Sequence, residues 1–113
     1  MKVKTSELSG KALDWAVAKA TREEMPSVPQ WILWDDYHPT KNWRHCGPLL
    51  EKHRVSVSDC DVEWVASIMN ADGSDYAGLE KGSSAPIAIS RAVVASLLGD
   101  EIELPEGLAN GLD

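Results

Sequence analysis

Phenylalanine is absent from the 113-residue chain, whose aromatic residues are five Trp and two Tyr. A core without Phe must be filled by aliphatic side chains and tryptophan, so each Trp is claimed by two roles, core plug and partner anchor. Cysteine is nearly absent as well. Cys46 and Cys60 form neither a CxxC pair nor a multi-cysteine framework, which excludes a disulfide scaffold and a cysteine zinc finger and leads us to expect two reduced thiols. Long apolar runs are missing: Ala92-Val93-Val94-Ala95 is as long as they get, far short of the ~20 residues a bilayer span needs. No apolar stretch follows Met1-Lys2-Val3-Lys4, so the expectation is a soluble protein kept in the cytoplasm.

Positive charge is scarce in one half of the chain. Residues 1–54 carry nine Lys/Arg against seven Asp/Glu, whereas residues 55–113 carry two against eleven, and the formal net charge is -7. An acidic second half disfavours phosphate binding, which needs clustered Lys/Arg, so nucleic acid is not expected as a partner. Such a surface either keeps the protein soluble or docks onto a basic partner, in the extreme as a mimic of DNA. The balance of 43% hydrophobic and 26% charged residues fits one domain, with an ordered core over about 1–105, a mobile loop over about 70–83 and a tail at 106–113.

What is present reads as α+β. Met1 to Thr5 alternates as a short strand, and Leu8, Ala12, Leu13, Ala16, Val17 and Ala20 then recur at helical spacing, predicting a helix over about Ser9 to Thr21. Pro26, Pro29 and Pro39 make most of residues 22–40 loop. Thr40 is placed to cap a turn through Trp43, and Pro48 to open a brief helix ending near His53. Residues 54–58 and 61–69 alternate with period two around a turn and predict a β-hairpin. The glycine-rich stretch from Asn70 to Ser84 shows no period and reads as the mobile loop. Ser84 as N-cap, Pro86 in the first turn and Gly99 as stop delimit an almost wholly apolar helix, which should be buried on several sides. The segment from Asp100 to Pro105 alternates as a last strand, where Glu101 and Glu103 can lie beside Lys2 and Lys4 if the terminal strands pair.

The stretch from Trp31 to Pro48 concentrates the reactive residue types. Asp35, Asp36, His38, His45 and Cys46 are candidate metal ligands, but adjacent His45 and Cys46 diverge in regular structure and no HxxxH or CxxC spacing supports them. A Cys46 nucleophile needs His38 or His53 beside it in space, and Asp35 with Asp36 as an acid/base pair competes with ordinary loop solvation. Asp59, Asp61, Asp72 and Asp75 fail the EF-hand template. No catalytic, cofactor or metal site is therefore assigned. Trp31, Trp34, Tyr37, His38 and Trp43 form the candidate interaction surface. Arg91, the single charge in the apolar helix, either snorkels to solvent, pairs with a buried carboxylate such as Asp14 or Asp36, or points into an anion-binding pocket.

Three blocks carry a family resemblance. Leu13-Asp14-Trp15-Ala16-Val17-Ala18-Lys19-Ala20, then Tyr37 with Trp43 and Gly47-Pro48-Leu49-Leu50, then Ala92 to Ser96 leading to Leu98-Gly99-Asp100-Glu101-Ile102-Glu103-Leu104-Pro105, resemble the NinX-like family of small proteins of tailed phages and prophages. The likeness runs from Met1 to about Leu108 and is weakest between Val65 and Lys81. It implies an α-β-α sandwich-like domain and brings no assigned activity. The family pattern has Asp directly before the middle Trp and a second Gly before Gly-Pro, where this chain has Asn42 and Cys46. A role depending on a carboxylate at position 42 is therefore not carried over to this chain.

The expectation is one α+β domain with two main helices packed on a small, mainly antiparallel sheet whose middle is the hairpin of residues 54–69. The expected function is that of a non-enzymatic phage or prophage accessory protein, without cofactor, binding a host or phage protein in the bacterial cytoplasm. Alternatives are a small ligand-binding or hydrolase domain with a pocket joining Asp35, Asp36, His38 and Arg91, and the acidic DNA mimic. A homodimer stays open.

Overall fold

A computed structural model describes residues 2–21 and 38–104. The expectations for Trp31, Trp34, Asp35, Asp36, Tyr37 and the tail lie outside the described residues. The elements run β1 (Lys2–Lys4), a 3-10 turn (Thr5–Glu7), α1 (Gly10–Thr21), α2 (Trp43–Lys52), β2 (Ser56–Asp59), β3 (Trp64–Met69), β4 (Tyr76–Gly82), α3 (Ala85–Leu98) and β5 (Glu101–Glu103). Two antiparallel sheets result, a β1-β5 ribbon and a β2-β3-β4 sheet, and the fold is α+β.

The first and last strands pair antiparallel and bring opposite charges side by side. Lys2 pairs with Glu103 and Lys4 with Glu101, while Val3 opposite Ile102 turns both apolar side chains into the core. The Thr5 hydroxyl then donates to Gly99 O at 2.7 Å and the Thr5 amide to Asp100 O at 2.7 Å, tying the 3-10 turn to the exit of α3.

α3 follows its sequence signals closely. The Ser84 side chain accepts from the Ile87 amide, Pro86 sits in the first turn, and Gly99 takes φ +93° at the stop. Nine of the fourteen α3 residues are buried, because the helix lies against β3 and β4 on one side and against α1 and α2 on others, while Leu97 near its end stays exposed. α1 makes its main contacts with α3, burying Leu13, Ala16 and Val17, so the N-terminal helix reaches the sheet through α3 instead of resting on it.

Three local expectations are corrected. α2 begins at Trp43, five residues before Pro48, because the Asn42 side chain accepts from the Arg44 amide at 2.9 Å and caps the helix there. Pro48 is interior to it, on the exposed side, where a missing N–H forfeits one helical hydrogen bond. Thr40 is not the cap; its amide is used elsewhere. Residues 70–83 are not a loop throughout: after a turn braced by Asn70 and Asp72, β4 occupies Tyr76–Gly82 and pairs along β3. Consequently β3 is the central strand and β2 an edge, so the 54–69 hairpin supplies only two of the three strands.

The reason for the β4 correction is packing. Gly78, Glu80 and Gly82 alternate onto the face toward α3, and a Cβ at Gly82 would stand 2.6 Å from the Ala88 amide nitrogen, while one at Gly78 would overlap the Ala92 carbonyl oxygen. Glycine here permits backbone to lie on backbone.

Candidate functional site

Asp14 projects from the buried side of α1 with 5% of its surface exposed. A carboxylate so placed must be hydrogen-bonded. Its Oδ1 accepts from the Thr40 amide at 3.0 Å and its Oδ2 faces His38 Nδ1 at 3.3 Å. His38 is held a second time, its own amide donating to His45 Nδ1 at 2.9 Å. The turn between them closes on itself, with the Lys41 and Asn42 amides donating to His38 O. Asp14 from α1 and His45 from α2 thus grip one turn, whose Pro39 and Thr40 are buried. Trp43, the next residue after the Asn42 cap, stands 53% exposed at its rim.

The chemistry available here is limited and definable. The contact with the carboxylate places a donor at His38 Nδ1, on a ring 37% exposed. His45 accepts at Nδ1, so in its neutral form it carries its proton on Nε2. A nucleophile does not complete the group: Cys46 is buried, and burial pushes its thiol up to about 11. We predict that at about pH 8 iodoacetamide labels exposed Cys60 and spares Cys46 until the protein is unfolded, since the thiolate fraction at Cys46 is about a thousandth. Mass spectrometry of native and denatured samples checks this, and equal labelling would refute the buried thiol. Among the described residues no three His, Cys, Asp or Glu stand together to hold a metal ion.

Arg91 belongs to a different cluster. Its Nε donates to Leu8 O at 2.8 Å and its Nη1 to Lys81 O at 2.7 Å, so the guanidinium clasps α3 to the entrance of α1 and to β4. Of the alternatives for Arg91, Asp36 lies outside the described residues, and Asp14 is bonded instead to Thr40 and His38. The carboxylate that Arg91 feels is Glu80. Partial burial lowers the guanidinium from its ordinary value, which Glu80 opposes; burial raises Glu80 and Asp100 repels it further, and Arg91 offsets this only in part, so Glu80 stays above its ordinary value. Replacement by methionine keeps the apolar stem and deletes the donors, so Arg91→Met should cost about 1–2 kcal/mol in urea unfolding. An unchanged midpoint would show the clasp to be dispensable.

Sequence reading missed Glu80 and Lys81 as partners of Arg91 because both lay in the presumed loop. The alternation of Gly78, Glu80 and Gly82 against Leu79 and Lys81 was the available signal.

The described residues define a small α+β protein whose polar clusters brace backbone against backbone. The chain belongs to the family described as Bacteriophage P22, NinX, which matches residues 4–96, and it is on that ground a phage accessory protein. No curated protein matches the sequence. The departure at Asn42 has a structural reading: the side-chain oxygen there caps α2, which amide and carboxylate do about equally well. Cys46, the other departure, is packed into the core.

Proposed function

We propose that the protein acts without catalysis, binding a host or phage protein in the bacterial cytoplasm through the surface around Trp43. The supporting observation is Trp43 itself, a large aromatic half in solvent at the first position of α2, beside the turn that Asp14 and His45 hold in place. Rigid aromatic anchors of this kind carry much of the binding energy of protein interfaces. Trp31, Trp34 and Tyr37 precede the same turn in sequence and belong to the proposed surface with His38. No helix among the described residues is long and apolar enough to cross a membrane.

Affinity capture with tagged protein from infected or lysogenic cells tests the reading. A specific partner should be recovered, and Trp43→Ala should weaken its binding about tenfold or more while the circular dichroism spectrum is retained. Steady turnover of a small molecule by the purified protein, abolished by His38→Ala, would overturn it. That outcome would favour a catalytic reading centred on His38, without Arg91, whose donors are spent on Leu8 O and Lys81 O.

A further inference from the structure

Strand register sorts the β2-β3-β4 sheet into two faces. Ala66 and Ile68 turn toward α3, so Val65, Ser67 and Met69 turn away from it, and their partners Lys81, Leu79 and Tyr76 share the outer face. No helix among the described residues covers that face. Met69, Tyr76 and Leu79 are 47%, 52% and 52% exposed there, forming an apolar centre on adjacent strands.

Charge frames this centre. Residues 55–82 hold six Asp/Glu and one basic residue, Lys81, which is already paired with Glu63 at 3.6 Å. At one end of the sheet lie Asp59, Asp61 and Glu63, and at the other the turn with Asp72 and Asp75. This second turn is braced: Asp72 accepts from both the amide and the hydroxyl of Ser74, and those hydrogen bonds hold its carboxyl below the usual range.

We infer that this outer sheet face docks a basic amphipathic protein segment, its apolar side chains on Met69, Tyr76 and Leu79 and its Lys/Arg against the two acidic turns. The inference rests on the protein-binding reading above and adds to it a second surface and the partner's chemistry. The six residues of β3 separate the turns by about 20 Å, a span covered by about 13 residues of helix. Nucleic acid is excluded by the sign of the charge. A second copy is disfavoured too, since stacking two such faces would set acidic turns against acidic turns.

The test is a titration of the isotope-labelled full chain with a synthetic Leu/Lys amphipathic peptide of about 13 residues, followed by NMR. Amide shifts should concentrate on Val65, Ser67, Met69, Tyr76 and Leu79. The double variant Met69→Ser/Leu79→Ser should weaken binding about tenfold, and Asp72→Asn/Asp75→Asn about threefold with a shallower salt dependence. A scrambled peptide of equal charge should bind at least about fivefold more weakly. Absence of binding, equal binding of the scrambled peptide, or self-association of the chain through this face would overturn the inference. Shifts centred on Trp43 would also overturn it while leaving the protein-binding reading intact. Conversely, loss of the Trp43 effect with the sheet-face shifts retained would sink only the Trp43 surface.

Discussion

Replacing Gly78 by alanine should cost about 3 kcal/mol and lower the melting temperature by about 10 °C or more, the largest effect expected of any single methyl group in this chain. The new Cβ would overlap the Ala92 carbonyl oxygen and stand 3.2 Å from the Ser96 amide nitrogen. Both are helix backbone. A flexible side chain would swing aside, but here α3 as a whole must lift from β4, opening the layer of Ala66, Ile68, Ile89 and Val93 to voids. Gly82→Ala should cost nearly as much, because the Ala88 nitrogen is again backbone, although the Ile87 methyl at 2.8 Å has some freedom to yield. Gly47 is the control. It lies in α2 with open space where a Cβ would go, so Gly47→Ala should stabilise the protein by up to about 1 kcal/mol. Thermal unfolding followed by circular dichroism separates the three variants. If Gly78→Ala melts like the wild type, β4 does not pack flush on α3.

The same glycines explain where the fold was legible and where it was not. α3 carried its boundaries on local residues: Ser84, Pro86 and Gly99 act within a turn of the helix ends, and such signals need no knowledge of the rest of the chain. The terminal ribbon was legible in part: Lys-x-Lys and Glu-x-Glu suggest that the two strands pair, while the antiparallel register is set by the structure. β4 was not, since a glycine that admits a neighbouring helix and a glycine that loosens a loop are the same letter. α2 was misplaced for a related reason: Pro48 is a strong local mark for a helix start, yet the Asn42 cap and the burial of Cys46 and Leu49 outweigh one lost hydrogen bond. At the candidate site, His38 and Trp43 were singled out by residue type and Asp14 only as a possible partner of Arg91. What Asp14 holds was illegible, because the Thr40 amide lies 26 residues away and a backbone donor leaves no trace in composition.

That amide makes Asp14 the second position where one substitution should matter most. Asp14→Ala removes the acceptor of a buried N–H and the partner of His38 together. An unsatisfied buried donor costs about 1–3 kcal/mol and the imidazole contact adds to it, so a loss of about 2–3 kcal/mol is expected in urea unfolding. Asp14→Asn keeps an acceptor for Thr40 and gives up the charge, which should halve the effect to about 1 kcal/mol. His38→Ala should be milder still, because its ring is 37% exposed and the turn retains its bond to Asp14 through Thr40. Hydrogen exchange at the Thr40 amide reads the mechanism directly: protected in the wild type and in Asp14→Asn, it should exchange like a loop amide in Asp14→Ala. Because the same turn ends in the Asn42 cap and presents Trp43, Asp14→Ala should also weaken partner binding without touching the partner, and less so in Asp14→Asn. Should Thr40 stay protected in Asp14→Ala, the turn is held by its own hydrogen bonds and by His45, and Asp14 does no more than fill its place in the core.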